Sequence, residues 1–246
     1  MRPVLTAAVD LFDTMNDRGF VVLDAAALAA AVDSAGFGGL TPSWSDLPVD
    51  AWLKDGGRYR SRRHACFVVD DATVARVAHR AHWQPVEYNA LHGGLERWFE
   101  PIVDDVATAA VWQQLLLTLS RWCSTLKGTQ RWFVEAHQFR IDTTDGIGRP
   151  TPEGAHRDGV DFVAVILVDR HHIKGGETRV FEADGPRGVR FTLTEPWSLL
   201  FLDDERVIHE STPIQPDGTD DSNDAIGHRD TLVLTFRRGN FQGPEE

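Results

Sequence analysis

Apolar residues recur at helical spacing in the first third of the chain. Val4, Ala8, Leu11, Phe12 and Met15 predict a helix over 4–17. Gly19 stops it, and Phe20-Val21-Val22-Leu23 reads as a short strand. Asp24 stands where an N-cap belongs, ahead of an Ala-rich helix over 25–35 that Gly36 ends. Residues 36–62 are rich in Gly, Pro and polar side chains and read as irregular. Asp70 or Asp71 is placed to start a helix reaching about His82. The longest helix is expected over 103–126, where Val106, Ala110, Leu115, Leu119 and Trp122 fall on or near one stripe.

Beyond about residue 130 the pattern changes to short β-rich runs, at 134–141, 162–168, 178–181, 189–193, 198–202, 206–209 and 231–236. Turn residues separate them: Asp145-Gly146, Lys174-Gly175-Gly176, Asp184-Gly185-Pro186 and Pro216-Asp217-Gly218. Short strands at this spacing indicate a sandwich or barrel, and helices followed by strands indicate an α+β chain. No internal repeat and no Pro/Ser-rich linker divides the halves. The expectation is a single domain over 1–246, with 1–130 as a mainly helical support layer and 131–240 as the β core. Residues 219–223 form an acidic-polar patch expected to be a mobile loop.

Composition narrows the function classes. With 42% apolar and 25% charged residues the chain is an ordinary globular protein. A net charge of −12 speaks against a nucleic-acid surface, which needs clustered Lys and Arg. It does not exclude an anionic substrate, because a few buried Arg set the local potential. Cys66 and Cys123 are too few for a disulfide framework or a Cys-rich zinc site, and are expected to be buried thiols. No apolar run approaches the roughly 20 residues that span a bilayer. The N-terminus lacks a secretory pattern. The expected location is the cytoplasm, with neither membrane nor nucleic acid as partner.

The chemistry concentrates in His156-Arg157-Asp158 and in His209, 53 positions later. Two imidazoles and one carboxylate match the facial triad that holds non-haem Fe(II) and leaves positions open. On an extended segment, side chains at i and i+2 leave the same face, so His156 and Asp158 can reach one ion. H-x-D alone recurs by chance in a chain with 10 His. His171-His172 reads as a turn, and His79/His82 as an i, i+3 pair lacking a third ligand. Arg229 opens the last strand and suits a bidentate grip on a carboxylate, although a lone Arg equally fits a solvated strand end. Alternation puts Arg229, Thr231, Val233, Thr235 and Arg237 on one face, making Thr231 a second contact.

His-Arg-Asp at 156–158, Gly-Gly-Glu-Thr at 175–178, His209-Glu210 and Arg229 fall in the order seen in Fe(II)/2-oxoglutarate-dependent dioxygenases. More narrowly, four segments resemble the bacterial isoleucine-dioxygenase family of free amino-acid hydroxylases. They are Pro-Thr-Pro-Glu-Gly-Ala-His-Arg-Asp-Gly at 150–159, Lys-Gly-Gly-Glu-Thr at 174–178, His-Glu-Ser-Thr-Pro-Ile at 209–214 and Arg-Asp-Thr-Leu-Val-Leu-Thr-Phe at 229–236. The resemblance covers roughly 130–240. It implies a double-stranded β-helix (jelly-roll, cupin-like) core, with Fe(II) held by His156, Asp158 and His209. It further implies that 2-oxoglutarate chelates the iron while Arg229 clamps its far carboxylate, and that O2 takes the last position. The expected reaction hydroxylates an unactivated C–H bond of a free L-amino acid, with succinate and CO2 as co-products. Asp158 speaks against a halogenase, whose relatives lack this carboxylate. Gln138 is a candidate contact to the keto acid or the substrate. Arg140 is either a contact to a ligand carboxylate or half of a structural ion pair. Arg157 and Asp161 either meet a substrate charge or are solvated. Two alternatives stand beside this reading: desaturation or oxidation of another small metabolite, and a non-catalytic cupin-like metal-binding or sensor protein. Residues 36–102 are left as a lid or a dimer contact.

Overall fold

The computed structural model describes residues 1–33, 36–218 and 226–244, so the 219–223 patch lies outside the described residues. A 3-10 turn at Ala8–Asp10 leads into α1 (Leu11–Arg18), which buries Leu11 and Met15. Gly19 ends α1 at φ 75°, a left-handed conformation that glycine adopts without a Cβ clash, and its N–H bonds Met15 O. β1 (Phe20–Leu23) follows, then α2 (Ala25–Val32), capped by the Asp24 side chain accepting from Ala27 N at 2.8 Å. α2 ends at Asp33 in the left-handed region, short of the expected residue 35.

The stretch read as irregular and then helical is instead a hairpin, β2 (Arg60–Val69) and β3 (Val74–Arg76). Asp70 does accept from the N–H groups of Ala72 and Thr73, but it closes the turn between two strands rather than starting a helix. β2 escapes a hydrophobicity pattern because Arg60, Arg62, His64 and Cys66 alternate with Ser61, Arg63, Ala65 and Phe67, polar residues standing on both faces. The long helix forms as α3 (Asp104–Ala107) and α4 (Ala110–Lys127), interrupted at Thr108 and Ala109.

The remaining strands are β4 (Trp132–Asp142), β5 (Phe162–His171), β6 (Ile173–Gly175), β7 (Thr178–Glu182), β8 (Gly188–Phe191), β9 (Leu199–Asp203), β10 (Val207–Ser211), β11 (Ile214–Pro216) and β12 (His228–Arg237). They build a seven-stranded sheet, β1-β9-β5-β12-β4-β2-β3, a three-stranded sheet, β10-β7-β8, and a pair, β11-β6. From β4 onward the chain alternates between layers. β5, β9 and β12 return to the large sheet, while β7, β8 and β10 form the small one. The link from β4 to β5 joins the small layer through the bridges Gly148↔Ile214 and His156↔His209. This is jelly-roll winding, in a mostly-β α+β chain.

One face of the large sheet meets the helices over a core that includes Leu28, Trp112, Leu116, Phe162, Phe201 and Phe236. The other face meets the small sheet over Val163, Leu167, Val180, Leu202 and Val207. The first 130 residues are therefore more than a helical layer, since β1, β2 and β3 extend the large sheet at both ends. Cys66 and Cys123 are buried free thiols. Among the described residues no helix is long and apolar enough to cross a membrane.

Phe201 is fully buried, stacks on Phe162 with centroids 5.3 Å apart and meets the edge of Trp122. Phe201→Ala is expected to lower unfolding free energy by about 3–5 kcal/mol. Val189→Ala, at a 42% exposed position, should stay within about 0.5 kcal/mol. Urea denaturation of both variants checks the contrast.

Candidate metal centre and its cavity

The two sheets enclose a cavity of about 130 Å3. Its wall is assembled from distant parts of the chain. β12 supplies Arg229, Thr231, Val233 and Thr235, β4 supplies His137, Phe139 and Ile141, and β2 supplies Arg60 and Arg62. The 82–97 segment adds His82, Gln84, Asn89, His92 and Arg97. His156, Asp158 and His209 line the same space, with Glu153 beside them.

Backbone pairing fixes the triad. His156 N donates to His209 O and His209 N to His156 O, both at 3.0 Å. This puts the two rings side by side, centroids 4.7 Å apart. Asp158, two residues on, stands 3.9 Å from His156 Nε2 through Oδ1 and 3.8 Å from His209 Nε2 through Oδ2. All three ligand atoms lie within 4.8 Å of one another, which suits an ion with bonds of ~2 Å. The donor set, two imidazole nitrogens and one carboxylate, fits Fe(II).

The surroundings prepare each ligand. His156 Nδ1 donates to Gly154 O at 2.9 Å, which leaves Nε2 free to face an ion. Burial works to lower the His156 pKa, but the Asp158 and Glu153 carboxylates outweigh it and raise the value above 6.5. A bound cation would displace that proton. Burial, reinforced by His156, holds His209 at about 4, in the neutral ligand form. Gln84 Nε2 donates to Asp158 Oδ1 at 3.0 Å. Behind Asp158, the Asp204 carboxylate accepts the N–H groups of Asp158, Gly159 and Val160 at 3.1, 2.8 and 3.1 Å. Burial, with the Asp158 charge adding to it, pushes Asp204 up to about 7. The loop requires Gly159, at φ 76°, because a side chain there would run into the Tyr88 ring.

Arg229 is 4% exposed, its Nη2 has no hydrogen-bond partner, and burial, with Arg170 nearby, lowers its pKa to about 10. The predicted face of β12 does line the cavity, Thr231 included, but Arg237 lies beyond it and donates to Asn240 O.

Four sequence candidates lie elsewhere. Strand alternation turns Gln138 and Arg140 away from the cavity, opposite His137, Phe139 and Ile141. Gln138 is fully buried and donates to Ser43 Oγ at 2.7 Å. Arg140 makes a two-pronged pair with Asp230, at 2.8 and 2.6 Å, which is the structural ion pair. Arg157 donates to Glu205 O at 3.3 Å on the outer surface near Tyr88. Asp161 is buried between Arg238 Nε, at 2.7 Å, and Lys127 Nζ, at 3.4 Å, outside the cavity. His79 and His82 share no helix; His79 bonds Phe99 O, while His82 enters the cavity wall.

Sequence reasoning missed Arg60, Arg62, Gln84, Arg97, Glu153 and Asp204. The available signal was the period-two series Arg60, Arg62, His64, three polar residues on one face of an extended segment, blurred by Ser61 and Arg63 on the other.

That face meets a buried polar cluster. Glu135 Oε2 accepts from His64 Nε2 at 2.9 Å and His82 Nδ1 at 2.6 Å. His137 stacks on His64, and Arg62 Nη2 donates to His137 Nδ1 at 2.6 Å. The Arg62 guanidinium lies between the rings of Phe99 and Phe139, 3.7 and 4.4 Å from their centroids. His64, His82, Glu135 and His137 have the spacing of a metal site. The Arg62 charge beside His137 makes it a poor setting for a second cation, and its hydrogen bonds account for the arrangement. A third group, Asp169, His228 and Asp230, has its charge met by Arg140.

The 2OG-Fe dioxygenase family model matches residues 41–235. The crystal structure of a bsmA homolog from Methylobium petroleophilum PM1 is 50% identical, with a TM-score of 0.91 over 99% of this chain and 98% of that one. IDO from Bacillus thuringiensis has a TM-score of 0.74 at 14% identity, over 96% and 100% of the two chains. The Fe(II)/(alpha)ketoglutarate-dependent dioxygenase TqaL has 0.67 at 18%, over 94% and 87%. The last two likenesses concern the fold alone. No curated protein matches the sequence.

Burial holds the His82 pKa at about 4, against the pull of Glu135, and lowers His64 and His137 as well. The unfolded chain takes up a proton at His82 below pH 6.5 that the folded chain refuses until about pH 4. Stability is therefore full above pH 6.5 and falls as pH drops through that window, by ~3 kcal/mol from His82. Denaturant titrations across that window check this, and His82→Gln should flatten the slope.

Proposed function

As the chain belongs to the 2OG-Fe dioxygenase family, whose cofactors are Fe(II), 2-oxoglutarate and O2, we propose that it hydroxylates an unactivated C–H bond of a free L-amino acid. In this reading His156, Asp158 and His209 hold the iron. Arg229, with Thr231 beside it, receives the far carboxylate of 2-oxoglutarate. When bound, the iron would activate O2, one oxygen atom entering the C–H bond and the other entering succinate as 2-oxoglutarate loses CO2. The observation that carries the reading is the buried, unpartnered Arg229 guanidinium in the same cavity as the triad. A buried cation without a carboxylate is costly, and an anionic ligand removes the cost.

The protein's own contribution is orientation and exclusion of side reactions. Phe139, Ile141, Val165 and Val233 give the cavity an apolar lining that limits water near the reacting bond. Gln84 and Asp204 hold Asp158 from two sides, so that the carboxylate keeps its position. At about 130 Å3 the cavity is below the usual size of pockets for larger ligands, which favours a small metabolite over a protein segment. The four sequence segments that resemble free amino-acid hydroxylases favour an amino acid among small metabolites. Desaturation uses the same site and differs by product mass, −2 against +16.

The test incubates the protein with Fe(II), 2-oxoglutarate, ascorbate and each free L-amino acid, reading succinate and the mass of the product. One amino acid should gain 16 mass units in step with succinate; no product from any of them refutes the substrate class. His209→Ala should lose iron binding and turnover together. Arg229→Ala should raise KM for 2-oxoglutarate about 10–100-fold with a much smaller change for the amino acid.

A further inference from the structure

Four arginines of the described residues are buried, and all four line the cavity: Arg60, Arg62, Arg97 and Arg229. Asp50 pairs with two of them, lying 2.7 Å from Arg60 Nε and 3.8 Å from Arg62 Nη1. Arg97 and Arg229 have no carboxylate within 4.0 Å. All four carry a buried nitrogen without a hydrogen-bond partner, Nε in Arg97 and Nη2 in Arg229 among them, so the missing carboxylate is what sets these two apart. The cavity thus contains two separate guanidinium groups waiting for an anion. The proposed function uses one of them, for the co-substrate.

Arg97 is 2% exposed and stands one side chain from the metal centre. Its Nη2 donates to Gln84 Oε1 at 3.0 Å, and Gln84 Nε2 donates to Asp158 Oδ1. An anion held at Arg97 therefore lies close to the triad. Glu153 lines the same space, with Oε1 3.5 Å from His156 Nε2. Glu153 is near enough for its charge to act on Arg97, yet the two form no ion pair. Opposite charges that line one small cavity without pairing match a molecule that carries both signs on substituents of one carbon.

We infer that Arg97 and Glu153 form the recognition pair for the prime substrate, Arg97 taking an α-carboxylate and Glu153 an α-ammonium. The inference rests on the proposed function and sharpens it: the substrate is a zwitterionic α-amino acid with both α-groups free. Esters, amides and N-acylated derivatives lose one of the two contacts. Residues 82–97 then supply a wall that reads the backbone of the amino acid.

The test is calorimetric binding to the anaerobic Fe(II)–2-oxoglutarate form of the protein. The probes are the twenty L-amino acids, followed by the methyl ester and the N-acetyl derivative of the tightest binder. Arg97→Met should weaken the amino acid about 30–100-fold and leave its methyl ester and 2-oxoglutarate within about 3-fold. Glu153→Gln, which keeps the shape of the side chain and removes its charge, should weaken the amino acid but not the N-acetyl derivative. Arg97→Lys retains the charge and should recover part of the loss. An amino acid that binds Arg97→Met or Glu153→Gln as tightly as it binds the parent protein overturns the pair while leaving the amino-acid reading intact. Equal loss of 2-oxoglutarate and amino acid in both variants also overturns it, since that is general damage to the cavity. Failure of all twenty amino acids with the parent protein, with 2-oxoglutarate still bound, overturns the substrate reading and the pair with it.

Discussion

Two backbone hydrogen bonds, His156 N to His209 O and His209 N to His156 O, hold the centre together. They join a segment leaving the large sheet to a strand of the small one, so the metal ligands meet only where the two layers close on each other. Everything around them preserves this closure. Asp204 gathers the three N–H groups after His156-Arg157, and Gly159 lets the chain turn against Tyr88. The core on either side of the large sheet fixes the spacing of the layers. A loss of packing at Phe162 or Leu202 would be felt at the triad because its backbone pairing bridges the two layers that this packing holds apart.

The electrostatics of the cavity run against those of the whole chain. The chain carries a net charge of −12, yet the enclosed wall holds four arginines. Burial makes these few charges count for more than many exposed carboxylates, whose fields are screened within about 10 Å. His64 and His82 stay neutral because burial outweighs the pull of Glu135, and burial with the Arg62 charge does the same for His137, so they orient their neighbours without adding charge. The wall consequently presents two arginines without a carboxylate partner, Arg97 and Arg229, to small acids.

The C-terminal half of the site was legible in the sequence because its residues come in short motifs on regular strands. His156 and Asp158 obey the two-residue period, and β12 shows its facing directly in Arg229, Thr231 and Val233. β4 misled for the same reason. Its Gln138 and Arg140 look like a polar binding face, but they turn toward Ser43 and Asp230, and the face that meets the cavity mixes Glu135 and His137 with Phe139 and Ile141. The N-terminal contribution was hidden. β2 is buried with polar residues on both faces, so no hydrophobic alternation marks it, and 82–97 follows no period at all. Arg97 reaches Gln84 by chain folding rather than by spacing, which no local pattern encodes.

Metal ligation and the far wall of the cavity come from different stretches of chain, and within the 82–97 segment the hydrogen bond to a triad side chain is the one made by the Gln84 amide. Such an arrangement separates two kinds of heritable change. Substitutions around 82–97 can alter which molecule is admitted while the oxidising apparatus stays untouched, so long as that amide is kept. A lineage built on this plan can diversify its diet without relearning its chemistry.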